Sequence, residues 1–258
     1  MMISGIQTDR LEIRCSWSYF QLLRNRLEIL YPPGVFATDV LTAWLLTKGF
    51  CPIHSGAVTI DGNGIVITGP ASVGKTTTVL NLLRELPNAR VMSDDIVVTD
   101  GLSIFGCPMT ASAEYDFPEL GIRAFRPWHH FALKLSPLLL PFLANHIAPL
   151  CLQLPKDKLA WKAPVQYLFF LERGEPRTER LEAEDALRQL LLINRLEFSY
   201  QRDLLLVAYS WAHPDFPIWE LMNQETQILS SLIQRAKCFK VSSPAPDGFW
   251  KKITEIIK

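Results

Sequence analysis

The stretch Gly69-Pro-Ala-Ser-Val-Gly-Lys75-Thr76 has the spacing G-x4-G-K-[ST], and it constrains the fold around it more than any other feature of the chain. A loop of this kind has to leave a β-strand and open an α-helix. Both flanks fit: residues 65–68, Ile-Val-Ile-Thr, are β-branched, and residues 76–86 read as a helix ended by Pro87. Gly69 and Gly74 permit backbone conformations closed to other residues, so that consecutive N–H groups turn toward one anion. The helix N-terminus adds a partial positive charge. Lys75 reaches the β- and γ-phosphates, and the Thr76 hydroxyl suits Mg²⁺. The expectation is a nucleoside triphosphate held by Gly69, Pro70, Ala71, Ser72, Val73, Gly74, Lys75, Thr76 and Thr77. A glycine-rich turn that binds nothing would need neither flank.

Reading outward, residues 57–60 and 65–68 are two β-rich runs around Asp61-Gly-Asn-Gly64, a spacing that predicts an antiparallel hairpin. Before them lie a short strand (residues 11–15), a helix (18–29) broken by Tyr31-Pro-Pro-Gly34, and a second helix (38–48). After the loop, residues 89–92 form a strand that delivers Ser93-Asp94-Asp95. Residues 96–99 and 102–105 form a further hairpin around Asp100-Gly101. The proline-rich residues 108–164 have the length of a lid or substrate subdomain, or of a plain peripheral one. Residues 165–171 read as a buried strand, 178–196 and 217–236 as helices, 238–242 as a strand and 248–258 as a helix. Strands flanked by helices make the class α/β.

Asp94-Asp95 supplies carboxylates at a strand end, where a nucleotide site needs one for Mg²⁺. The second can share the metal or accept a proton from an attacking hydroxyl. A solvated pair opening a turn is the bland alternative, and the phosphate loop upstream argues against it. His54, in His54-Ser-Gly-Ala57, precedes the hairpin, and periodicity alone does not separate a structural from a functional histidine. Lys156 and Lys158 are candidates to close over phosphates, with solvated loop lysines as the commoner reading. Residues 117–130, aromatic and basic, could meet an acceptor or a partner subunit, with buried aromatics the bland reading.

Composition excludes several classes. Lys and Arg number 26 and so do Asp and Glu, so no whole-molecule field favours nucleic acid or an anionic membrane. The five cysteines are scattered without a CxxC pair, which argues against a zinc knuckle or a disulfide framework and for a reducing compartment. No signal peptide is evident, and the apolar residues 131–154 are interrupted by Lys134, His146 and three prolines. The expectation is a soluble cytoplasmic protein, with homo-oligomerisation left open.

His54-Ser-Gly-Ala, a hairpin strand into Gly-x4-Gly-Lys-Thr, and then Ser93-Asp-Asp occur in that order. The combination resembles the kinase domain of HPr kinase/phosphorylase and, more remotely, the nucleotide site of phosphoenolpyruvate carboxykinase. It covers about residues 51–105. The resemblance implies a mixed-sheet phosphate-loop kinase core over residues 51–258, with residues 1–50 an extension packed on it, as in a small stand-alone member. It implies that Lys75 and the loop backbone hold ATP, that Thr76 and Asp95 hold Mg²⁺, that Asp94 is the base, and that His54 lies beside the metal and the transferring phosphate. The activity implied is an ATP-dependent phosphotransferase acting on a hydroxyl of a peptide, protein or small molecule. A nucleotide-gated binding module is the alternative. A carboxykinase-like enzyme needs more chain, and a GTPase lacks its Asn-Lys-x-Asp motif here.

Overall fold

The computed structural model describes residues 2–14, 16, 33–108, 120 and 154–257. Its strands are β1 (Met2–Ser4), β2 (Glu12–Arg14), β3 (Cys51–Ile60), β4 (Asn63–Thr68), β5 (Ala89–Ser93), β6 (Ile96–Thr99), β7 (Ser103–Phe105), β8 (Lys162–Arg173), β9 (Arg177–Arg180) and β10 (Lys237–Ser243). Its α-helices are α1 (Pro33–Thr47), α2 (Lys75–Glu85), α3 (Ala183–Glu197), α4 (Leu204–Ala212), α5 (Ile218–Arg235) and α6 (Phe249–Ile257).

Two long strands organise the rest. The second half of β3 pairs with β4 and β5, and its first half pairs with β6. The start of β8 pairs antiparallel with β7, and its remainder pairs parallel with both β4 and β10. The result is a mixed sheet, β5-β3-β4-β8-β10-β9, with β6 and β7 closing a smaller antiparallel set between β3 and β8. The class is α/β.

Alternation along the central strands assigns their side chains to two cores. Ile65, Ile67, Phe169 and Leu171 face α2 and α6, meeting Val79, Leu83, Phe249 and Ile253. Val66, Leu168 and Phe170 face the opposite way, toward Val40 and Leu46 of α1 and Leu229 and Leu232 of α5. A sheet covered by helices on both faces accounts for strands that read as near-continuous apolar runs.

The sequence expectations need several corrections. β3 begins at Cys51, so His54 lies inside a strand rather than at the entry to a hairpin. Helix α1 starts at Pro33, five residues early, because proline suits a first turn whose N–H groups have no helical partner anyway. Residues 178–180, expected as helix, belong to the exposed edge strand β9 paired with β10, and the helix begins only at Ala183. Helix α4 went unpredicted because its sequence, Leu-Leu-Leu-Val-Ala-Tyr-Ser-Trp-Ala, is too uniformly apolar to show a period. The expected helix over 18–29, residues 109–119 and 121–153 of the candidate lid, and with them the stretch 117–130 apart from Leu120, lie outside the described residues. Among the described residues no helix is long and apolar enough to cross a membrane, and Cys51, Cys107 and Cys238 are free thiols.

Candidate functional site

The loop of residues 69–74 joins β4 to α2 in a backbone path that only glycine follows at both ends. Gly69 has φ 157° and Gly74 φ 123°. A Cβ on Gly69 would stand 2.8 Å from the carbonyl oxygen of Leu171, and one on Gly74 2.8 Å from Cβ of Pro246. Ser72, at φ 59°, completes the turn. The Val73 N–H donates within the loop, to the Pro70 carbonyl at 3.3 Å, and a path of this kind leaves other N–H groups to serve the space before α2.

His54 reaches this loop through hairpin register. Asp61 and Gly62, both at positive φ, form a two-residue turn, and the pairing it starts at Ile60 and Asn63 runs back to Ser55 opposite Thr68. His54 is therefore the neighbour of the last residue before the loop. Its carbonyl accepts from the Thr68 hydroxyl at 3.0 Å, and its N–H donates to Oδ1 of Asn194 at 3.2 Å. The link between β5 and β6 crosses β3 at the same place, where Ser55 N–H donates to the Asp95 carbonyl at 2.8 Å. Asp94 and Asp95 arrive there with it.

Lys75 is 6% exposed and His54 9%. The Lys75 ammonium, which can only donate, lies 2.7 Å from Nε2 of His54 and 3.1 Å from the carbonyls of both Gly69 and Pro70. Nε2 is thus the acceptor of a neutral imidazole, and the proton sits on Nδ1, facing Oδ1 of Asp95 at 3.6 Å. Burial pushes the His54 pKa below its usual value, and the Lys75 charge adds to this against the opposing pull of Glu197 and Asp95. Burial also lowers the pKa of Lys75, again opposed by Asp95 and Glu197. The first effect favours a neutral histidine, and the second weakens the preference of Lys75 for its charged form.

These residues meet in one cavity of about 340 Å³, lined by His54, Lys75, Thr76, Thr77 and Asp95, with Ala71, Ser72, Gly74 and Pro246 completing it. Of the adjacent aspartates, Asp95 is on the cavity wall with its side chain 49% exposed. Asp94 is only 1% exposed and its carboxylate is not part of the lining, while its carbonyl accepts from the Thr76 hydroxyl at 3.2 Å. Pro70, Gly69 and Val73 shape the loop without lining the cavity, Val73 being packed in the core.

Two residues escaped sequence reading. Glu197, at the end of α3, places Oε1 3.5 Å from Nε2 of His54. Asn194, one turn earlier, anchors the His54 backbone and in turn donates to the Pro52 carbonyl at 2.9 Å and to the buried Glu225 at 3.1 Å. Neither stands in a motif; only the docking of α3 brings them here. Lys158 is elsewhere: its ammonium donates to the Pro87 carbonyl at 3.1 Å, beyond the far end of α2. With α2 about 16 Å long at 1.5 Å per residue, Lys158 does not close over the loop in this structure.

A divalent ion with a nucleotide takes one or two carboxylates, the rest of its shell coming from phosphate and water. Thr76 and Asp95, both lining this cavity, fit that need. No cluster of three or more His, Cys, Asp or Glu among the described residues forms a self-contained metal cage.

No family model matches this chain, and no curated protein matches it. Among solved structures, the HPr(Ser) kinase/phosphatase from Coxiella burnetii matches over 50% of this chain and 77% of that one, at 18% identity and a TM-score of 0.27. At that TM-score the likeness carries no weight for function, which rests on the residues of the site.

Proposed function

We propose that the protein is an ATP- and Mg²⁺-dependent kinase that transfers the γ-phosphoryl group of ATP to a hydroxyl of a peptide, protein or small-molecule acceptor, with a core of the HPr kinase type. The observation that carries this reading is the single cavity where Lys75, Thr76 and the N-terminus of α2 face Asp95 and His54. The loop backbone and Lys75 hold the phosphates, and Lys75 exchanges its carbonyl partners for phosphate oxygens. Thr76 and Asp95 are the ligands available to Mg²⁺, which when bound neutralises phosphate charge.

The acceptor oxygen bonds to the γ-phosphorus, the bond from that phosphorus to the β–γ bridging oxygen breaks, and ADP leaves. The hydroxyl proton passes to a carboxylate. A base must come within about 2.6–3.2 Å of that proton. Asp94, the base implied by resemblance, meets this only if its enclosed carboxylate turns outward; Asp95 already fronts the cavity and is backed by the Nδ1–H of His54. His54 also buffers the charge of Lys75 from behind.

Asp94→Asn and Asp95→Asn separate the roles. The variant lacking the base keeps its affinity for Mg·ATP and loses about 10²–10⁴-fold in kcat. The variant lacking the metal ligand loses Mg²⁺-dependent ATP affinity. Transfer from labelled ATP, followed alongside calorimetric Kd values, reads both. If both variants transfer phosphate as well as the wild type, the proposed chemistry is wrong. Tight ATP binding with no transfer to any acceptor would leave a nucleotide-gated binding module.

A further inference from the structure

Asp95 belongs to two walls at once. It faces the phosphate-loop cavity on one side, and on the other it bounds a second cavity of about 230 Å³. The second is built differently. Leu41 and Leu45 of α1, Pro52 of β3, Ile96 and Val98 of β6, and Phe198 just after α3 make most of its lining. Its other polar contributors are two threonines and Cys107, and among the described residues no Lys, Arg or His lines it. One carboxylate therefore stands where a phosphate-binding space meets an apolar one.

An apolar wall offers nothing to a phosphate, a ribose or a polyol, whose polar groups would lose water without gaining partners. It rewards carbon. The volume exceeds the roughly 150 Å³ that houses benzene in an engineered apolar cavity and falls below the 300–1,000 Å³ range of sites for drug-sized ligands. One branched aliphatic group or one aromatic ring fills it, together with the carbon that bears a hydroxyl. Glu197 stands against His54, which lines the first space, and the next residue, Phe198, lines the second.

We propose that this second cavity is the acceptor subsite, and that the acceptor is a small alcohol with a branched-aliphatic or single-ring body. The proposal rests on the kinase reading of the phosphate-loop site. The alcohol lies with its body between α1 and β6 and its hydroxyl at Asp95. Its oxygen bonds to the γ-phosphorus as ADP departs, and its proton goes to the active-site carboxylate. Selectivity follows from burial, each methylene enclosed contributing about fourfold to affinity.

The test uses 3-methylbutan-1-ol and 2-phenylethanol as probes, with glycerol and the peptide Gly-Ser-Gly as comparisons. Binding is read by saturation-transfer NMR and transfer by labelled ATP, for the wild type, Leu41→Trp and Val98→Phe. Leu41 is 43% exposed, so a larger side chain there narrows the cavity from its rim without overpacking the core. The two apolar alcohols are expected to be phosphorylated with kcat/KM at least tenfold above glycerol. Leu41→Trp is expected to raise their KM at least tenfold while ATP affinity and acceptor-free ATP hydrolysis stay unchanged. Equal use of glycerol or Gly-Ser-Gly, or an unmoved KM in both variants, overturns the subsite while the kinase reading stands. Saturable binding of the alcohols, abolished by Leu41→Trp, with no transfer to any acceptor, overturns the kinase reading and the acceptor role with it.

Discussion

His54 and Lys75 form a pair in which each changes what the other can do. With the ammonium donating to Nε2, protonating the imidazole would set two like charges side by side in a buried place. The imidazole of His54 should therefore titrate below 6.5, its ordinary value, as followed by NMR of the ring protons. The linked stability has a definite sign. Because the unfolded chain binds this proton more readily, stability is fully present above about pH 6.5 and is lost as the pH falls through the folded value. Urea midpoints at two pH values should show a smaller difference for His54→Asn than for the wild type, and a His54 that titrates above 6.5 would contradict the arrangement. If the proposed function holds, Lys75→Ala removes a charge-assisted contact to phosphate and should weaken ATP binding about 10- to 100-fold by calorimetry. The position of Lys75 and Thr76 on the cavity wall was legible in the sequence because it follows from their place in a contiguous loop. Glu197 was not, since nothing in its neighbours points to His54.

The elements that hold the site depend on local chemistry to differing degrees. The β3–β4 hairpin was readable because Asp61-Gly62 takes two positive φ angles and so sets its register; a slip of one residue would turn His54 away from the loop. Under the proposed function Gly69→Ala should lose most ATP affinity while far-ultraviolet circular dichroism keeps its native helix content, because the added methyl meets the Leu171 carbonyl at 2.8 Å and the Val73 side chain at 3.1 Å and so displaces the loop where it borders one core. Helix α4 shows the opposite case. No period announces it, yet Asp203 caps it by accepting from the N–H groups of Leu205 and Leu206 at 2.9 and 3.0 Å. Asp203→Ala should cost about 1 kcal/mol in denaturant unfolding. A stable variant would mean that packing alone holds α4. Residues 178–180 misled for a related reason: exposed polar and charged residues suit an edge strand as well as a helical outer face, and only pairing with β10 decides between them.

Across the whole molecule the site is tied to the core by one buried polar network. Glu225 of α5 accepts from Tyr200 at 3.0 Å, from Arg195 at 3.2 Å and from Asn194 at 3.1 Å, and Asn194 carries the link to the His54 backbone. Glu225→Ala strands these donors and should cost about 2–3 kcal/mol in thermal or denaturant unfolding, with NMR shifts at His54 beyond those of a remote core mutation. The sequence by itself determined the glycine-rich loop, the strand before it, the helix after it, the hairpin that aims His54 and the carboxylate pair at a strand end. Each is a short-range fact: turn φ angles, β-branched runs and glycine positions act on their immediate neighbours. Only the tertiary structure decided that Asp95 rather than Asp94 fronts the cavity, that Glu197 and Asn194 join a histidine at least 140 residues away, and that an apolar cavity abuts the one beside the loop. Those outcomes follow from how β8 threads beside β4 and how α1 and α3 dock on the sheet. Packing of that kind is settled by the fit of surfaces distant in the chain, and no local pattern encodes it.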